Sequence, residues 1–392
     1  MTNEIEEFEC IVSAPVNIAL VKYWGKRDES LILPFNDSIS LSLNEEHLGT
    51  VTTVRFSTAY DNDSISLNGK DISITERLQN VLDEMRRMAR KNAIKKKLNA
   101  SELMKKSRFR FRIETCNNMP TAAGLASSAS GLASVTFGLA VALGIERDVE
   151  LSSIARVGSG SACRSVFGGL VRWHAGVEES GIDSIAQQVM THDQWPELRL
   201  LILVVSDTKK TVGSTAGQQR SLMTSKIMLE RPKITKERID EIIWAYKGKN
   251  FPALAEVTMR DSNQLHAICM DSYPMIHYLS DVSFKLIDFV TAFNELVGST
   301  KLGYTFDAGP NCFLLMEEET ISIVKYLIKS CFLNDEEIRF GSGVAECSEK
   351  LAAEYQPLLD QYKVCKGSVQ YAFQTHVGSG PKIIQPVTKY EP

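Results

Sequence analysis

The chain has 392 residues, 44% of them hydrophobic and 23% charged, with a formal net charge of −4. That length supports a full core and two domains or one large one, and the charge excludes a wholesale nucleic-acid binder. No apolar run reaches the roughly 18 residues of a membrane span, and the acidic start "MTNEIEEFEC" is unlike a secretory signal, so a soluble, cytoplasmic protein is expected.

In chain order, "FECIVSAPVNIALVKYWG" opens as a strand, and "VTTVRFST" and "SISLNGKDISI" continue in strand composition, with Asn68-Gly69 as a type I′ hairpin turn. From Thr75, Leu78, Val81, Leu82, Met85 and Met88 recur at helical spacing. Residues 86–108 hold ten Lys or Arg and one Glu. That run is either a solvated face or an anion-steering patch; no aromatic residues interleave it as base stacking would require. "RFRFRIE" alternates like a half-buried strand and leads into "NNMPTAAGLASSASGL".

In that stretch the small residues from Pro120 through Ser128 precede a helix beginning near Ser127 or Ser128. A helix N-terminus with little side chain in the way binds phosphate, although close packing of a helix on a sheet favours the same residues. No P-loop string and no protein-kinase signature occurs. "RVGSGSACRS" offers Ser159, Ser161 and backbone amides beside Arg164, suited to an anion or simply a glycine turn. Cys163 has no neighbouring His in sequence and reads as structural rather than nucleophilic. "LRLLILVVSD" (198–207) is a buried strand, followed by helical segments at 215–230 and 234–248, and further helical stretches to about residue 296. "GYTFDAGPNCFLLM" reads as strand, turn, strand, with Asp307 held on the turn as a base, a hydroxyl orienter or an Asx-turn acceptor. The end, "AFQTHVGSGPKII", reads as a strand with a Gly-rich turn. The eight scattered cysteines show neither disulfide nor zinc spacing.

Four stretches, "APVNIALVKYWGKRD", "NNMPTAAGLASSAS", "GSGSACRSVFGG" and "YTFDAGPN", together resemble the mevalonate diphosphate decarboxylase family of the GHMP kinase superfamily. The likeness extends through "LILVVSDTKKTVGSTAGQQ" and "TMRDSNQLHAICMDSYP" to "VGSGP". It implies a two-lobed α+β fold with the active site in the cleft between lobes, and a homodimer; the change of pattern after residue 190 places the division at 1–190 and 191–392. The implied activity is ATP-dependent decarboxylation in the mevalonate pathway of isoprenoid and sterol biosynthesis. ATP phosphates with Mg²⁺ would sit on Pro120, Ala122, Ala123, Gly124, Leu125, Ala126, Ser127 and Ser128, with Ser127 near the γ-phosphate and a candidate Mg²⁺ ligand. Diphosphomevalonate would meet Tyr23, Trp24, Gly25, Lys26, Arg77, Ser159, Gly160, Ser161, Ala162, Cys163, Arg164 and Thr215. Asp307, Lys22 and Asn17 match positions needed for activity. Related small-molecule kinases carry a catalytic aspartate where this chain has "SGSACRS", so the carboxylate must come from elsewhere, and Asp307 is available. A kinase acting on a mevalonate derivative without decarboxylation is the competing expectation.

Overall fold

The structure is a computed structural model that describes residues 6–95, 108–118, 127–146, 149–206, 210–334, 338–339 and 353–390. The first half opens with β1 (Glu7–Pro15), β2 (Asn17–Val21), β3 (Lys26–Asp28), β4 (Leu33–Pro34), β5 (Ser38–Ser42), β6 (Gly49–Ser57), β7 (Ser64–Leu67) and β8 (Lys70–Ile72). Helix α1 (Glu76–Lys95), β9 (Arg110–Asn117), α2 (Ser127–Leu143), α3 (Val149–Gly158), the single turn α4 (Ala162–Ser165), β10 (Leu170–Trp173) and β11 (Ala186–Met190) complete it. The second half runs β12 (Leu198–Val204), α5 (Ser214–Thr224), α6 (Arg231–Lys247), α7 (Phe251–Asp271), α8 (Asp281–Val297), β13 (Gly303–Phe306) and β14 (Cys312–Glu317). It ends with α9 (Glu318–Cys331), β15 (Ile338–Arg339), α10 (Gln356–Tyr362), β16 (Tyr371–His376) and β17 (Lys382–Lys389).

Three larger sheets result, ordered β17-β1-β6-β9-β7-β8, β11-β10-β5-β2 and β13-β14-β12-β16-β15, with β3 and β4 as a separate ribbon. The apolar faces of α1, α2 and α3 cover the six-stranded sheet, with Val81, Met85, Leu139 and Leu151 packing on Val12, Val54 and Phe111. β12 is buried on both faces, which explains its unbroken apolar run. Leu200 and Ile202 join Ile18, Leu41, Ile239 and Leu254 in one core, whereas Leu201 and Leu203 join Phe289, Phe293 and Leu327 in another. The first of these cores contains residues of both halves, so the strands before the cleft and the helices behind it pack as one body.

Asn68 and Gly69 both have positive φ, 50° and 76°, as the expected type I′ turn demands. Two expectations change. The opening strand splits at Val16 into β1 and β2, which enter different sheets. The expected helix at 215–230 stops at Thr224, because the Ser225 hydroxyl donates to Asp271 at 2.7 Å and the chain turns through a 3₁₀ segment at Ile227–Glu230. β17 returns to the first half and pairs antiparallel with β1, so the last strand lies outside the sheet of the second half. In the basic run, Arg86 is buried on Asp63 at 2.7 Å, while Arg87 and Lys91 pair with Glu84 and Glu150; residues 96–107 lie outside the described residues. Among the described residues, no helix is long and apolar enough to cross a membrane.

Candidate active site

β2 delivers Asn17 at its start and Lys22 just beyond its end, because Asn17, Ile18, Ala19 and Val21 pair with β5 around an irregularity at Leu20. Lys22 is 2% exposed, and its Nζ donates to Asp307 Oδ1 at 2.7 Å. Asp307 follows β13, and its carbonyl accepts from Gly309 N–H at 2.7 Å, which closes the turn predicted from "FDAGPN". Its side chain is one-third exposed to the cleft. Burial pushes the Asp307 carboxyl up, but Lys22, Lys210 and Arg164 outweigh it and hold the group below its ordinary value, so it is ionised near neutral pH.

Asn17 is buried and organises the opposite wall. Its Nδ2 donates to Ser161 O at 3.0 Å and to Ser165 Oγ at 2.8 Å, and its Oδ1 accepts from Arg164 Nε at 3.3 Å. Arg164 Nε also donates to Ser40 Oγ at 3.0 Å, and Nη1 donates to Ser38 Oγ at 2.6 Å. Arg164 is 3% exposed, and among the described residues no carboxylate lies within ion-pair reach. Burial pulls its proton affinity down, yet a guanidinium stays charged, so the site holds a desolvated cation on neutral acceptors. Such a group is completed by an anionic ligand.

The walls enclose a cleft of about 390 Å³. Among the described residues its charged lining is Lys22, Lys26, Arg77, Arg164 and Lys210 around the carboxylate of Asp307. Burial, then Arg77, lowers the Lys26 pKa, and burial lowers that of Lys210, so both cations are held where an anion would relieve them. Tyr23, Trp24 and Gln218 line the same cleft, and their Oη, Nε1 and Oε1 atoms are buried in its wall with no hydrogen-bond partner among the described residues. Buried polar atoms are nearly always satisfied, so these three are exceptions within the wall of the cleft.

Of the other expected residues, Ser128, Ser159, Gly160, Ser161 and Thr215 line the cleft. Gly25 does not; its positive φ of 80° instead turns the chain between Trp24 and Lys26. Ala162 and Cys163 also do not. Both are fully buried behind the wall, Ala162 among Ala14, Ala133 and Ala155, and Cys163 against Val171 and Trp173. Burial raises the Cys163 thiol to about 12, which fits a structural cysteine. Pro120, Ala122, Ala123, Gly124, Leu125 and Ala126 lie outside the described residues; α2 begins at Ser127, whose side chain is likewise not described. An apolar pocket of about 320 Å³, lined by Ile65, Leu67, Leu78 and Val135 among others, shares Arg77, Ser128 and Leu132 with the cleft.

A model of the diphosphomevalonate decarboxylase-like N-terminal domain matches residues 14–186, and one of the mevalonate 5-diphosphate decarboxylase C-terminal domain matches residues 200–384. The chain belongs to the diphosphomevalonate decarboxylase family. A decarboxylase of Danio rerio is 41% identical over 98% of this chain and 95% of its own length. A crystal structure of mevalonate 5-diphosphate decarboxylase superposes with a TM-score of 0.85 at 38% identity, over 96% of this chain and 97% of that one. Another structure, MDDEF in complex with MVAPP, AMPPCP and magnesium, superposes with a TM-score of 0.73 at 28% identity, over 97% and 99% of the two chains.

Within this chain, Lys210, Gln218 and Asp261 escaped sequence reasoning. Lys210 stands second in a Lys-Lys pair after the buried strand, and Gln218 lies one helical turn beyond Ser214. Both were indistinguishable from surface polar residues until β12 and α5 were placed against the cleft.

Proposed function

We propose that this cleft converts (R)-5-diphosphomevalonate and ATP to isopentenyl diphosphate, CO₂, ADP and phosphate. The observation that carries the reading is the Lys22–Asp307 pair facing Arg164, a buried cation without a carboxylate partner among the described residues. Diphosphomevalonate brings a carboxylate at one end and a diphosphate at the other, matching a cleft that, among the described residues, has five cations and the Asp307 carboxylate at the reacting position.

The C1 carboxylate sits on Arg164, oriented by Asn17, and the diphosphate on Lys26 and Arg77, with Tyr23, Trp24, the 159–161 turn and Thr215 around it. The 3-hydroxyl donates to Asp307. A carboxylate held below its ordinary pKa is a weak base, so Asp307 orients the hydroxyl rather than fully deprotonating it beforehand. Phosphoryl transfer through a loose transition state needs little more than that alignment and charge. The hydroxyl oxygen bonds to the γ-phosphorus as the bond to ADP breaks, and the hydroxyl proton passes through Asp307 to an oxygen of the transferred phosphate, leaving Asp307 ionised; Lys22 supports the charge on the moving group. The C3–O bond then breaks, phosphate departs with the electron pair, and positive charge grows at C3 beside the Asp307 carboxylate. The C1–C2 pair becomes the C2–C3 alkene as CO₂ leaves. Arg164 binds a charge that disappears in this step, so its work is orientation rather than acceleration.

The nucleotide's base fits the apolar pocket that shares Arg77 and Ser128 with the cleft, which directs its phosphates toward the start of α2. Magnesium would neutralise phosphate charge there. Among the described residues no group of three or more His, Cys, Asp or Glu could hold a metal, which suits an ion carried by nucleotide phosphates, with Ser127 the candidate side-chain ligand. A homodimer and a cytoplasmic location belong to the same reading.

With ATP, Mg²⁺ and diphosphomevalonate, product analysis by mass spectrometry is expected to yield isopentenyl diphosphate. A stable phosphorylated product retaining C1 would instead make the protein a kinase.

A further inference from the structure

Two consecutive residues of α7, Asp261 and Ser262, hydrogen-bond the backbone of the two segments that carry the reacting side chains. Asp261 is fully buried, and its Oδ2 accepts the backbone N–H of Lys22 at 2.7 Å. Ser262 is 1% exposed, and its Oγ accepts the backbone N–H of Phe306, the residue before Asp307, at 2.9 Å. Neighbouring residues on a helix point about 100° apart, so one can face the end of β2 while the next faces β13. Neither bond competes with water, which makes each more directional than a surface bond would be.

The anchorage is itself braced. Arg231 forms a fork on Asp261, Nη1 to Oδ1 at 2.8 Å and Nη2 to Oδ2 at 3.2 Å, and its Nη2 also donates to Lys22 O at 3.0 Å. Lys22 is thus gripped at both its N–H and its C=O by one buried ion pair. Arg238 adds a second cation on Asp261 at 2.8 Å. α7 also lies against β13 with no slack, since a Cβ on Gly303 would come 2.8 Å from Ala255 Cβ. β13 is the edge strand of its sheet, so the Phe306 N–H has the helix as its partner rather than another strand.

We propose that Asp261 and Ser262 are positioning residues that set the 2.7 Å approach of Lys22 to Asp307. The inference rests on the reading of Lys22 and Asp307 as the reacting pair. A misplacement of about 1 Å costs on the order of a hundredfold in rate when groups must be aligned for transfer. Arg164 is held by Asn17, Ser38 and Ser40, and neither Asp261 nor Ser262 lines the cleft, so KM should be spared.

The test uses Ser262→Ala, which deletes one hydroxyl, and Asp261→Asn, which keeps shape and removes charge. Each is measured for kcat, for KM of both substrates, and by a ligand-free crystal structure. Expected are a kcat fall of about tenfold or more, KM within about twofold, and a Lys22–Asp307 separation lengthened past hydrogen-bond range. Should Asp261→Asn fail to fold, Ser262→Ala alone decides the matter. Unchanged kcat, a kcat loss with the pair still in contact, or a rise in KM alone would overturn the proposal. Lys22→Ala and Asp307→Asn serve as controls. If both retain turnover the reading of the reacting pair itself fails, and if both are inactive while Ser262→Ala is normal only the positioning claim fails.

Discussion

At the scale of single residues, the Asp307 carboxyl is governed by two opposed effects. Burial alone would raise its pKa, while Lys22 foremost among the nearby cations lowers it. A carboxyl whose folded pKa lies below its unfolded value gives stability that is full above the unfolded value, about 4, and is lost as pH falls through the folded one. The pH dependence of kcat should therefore show no acid limb from Asp307 between about pH 5 and 8. His266, buried close by with its pKa lowered to about 4, stays neutral over that range and adds no limb of its own. Replacing Lys22 with Met leaves burial less opposed, so the Asp307 pKa should rise above that of the unmodified protein. A ¹³C-detected titration of aspartate carboxyls would show the shift; an unmoved Asp307 signal in Lys22→Met would mean that Lys22 does not control its charge. Asp307 and Arg164 were both legible in the sequence because each stands out in a short, unusual context, "FDAGPN" and "SGSACRS". Ala162 and Cys163 were not separable from their neighbours, because a one-turn helix points Ser161 and Arg164 to the cleft and the two residues between them away from it, and the sequence does not say which side is the cleft.

At the scale of elements, the loop between β2 and β3 carries much of the ligand-facing surface. Gly25 is the residue that lets it turn. At φ 80° an L side chain costs roughly 1–2 kcal/mol. A Cβ there would also stand 2.6 Å from Met228 Cε, though a methionine tip can move aside. Gly25→Ala should consequently lower the melting temperature by a few degrees and raise KM for diphosphomevalonate, since Trp24 and Lys26 flank it. Calorimetry and steady-state kinetics check this, and an unchanged KM would mean the loop reshapes without disturbing the cleft. Elements with a strong local signature were readable, such as the Asn68-Gly69 hairpin and the helical period of α1. The break at Val16 was not, because both sides of it are apolar strand. It becomes visible only when Val16 N–H pairs with Leu48 O and Leu43 N–H pairs with Val16 O, handing the chain from one sheet to the next.

At the scale of the whole molecule, chemistry depends on contacts that span most of the chain. Lys22 and Asp307 meet across 285 positions, and Lys22 and Asp261 across 239. No local pattern encodes such pairings, which is why Asp261 and Arg231 read as ordinary helix charges until the shared core placed α6 and α7 behind β2. That core, together with the β1–β17 pairing, joins the two halves so that a strand from one and a turn from the other present their side chains at hydrogen-bond distance. The central claim is that one cleft phosphorylates and then decarboxylates the same molecule. Its most direct test is to follow C1-labelled diphosphomevalonate with ATP and Mg²⁺, measuring labelled CO₂ against ADP in the native protein and in Asp307→Asn. The account predicts one CO₂ for each ADP in the native protein and loss of both by at least about two orders of magnitude in the variant. ADP formed without CO₂ by the native protein, or near-normal CO₂ from Asp307→Asn, would contradict it.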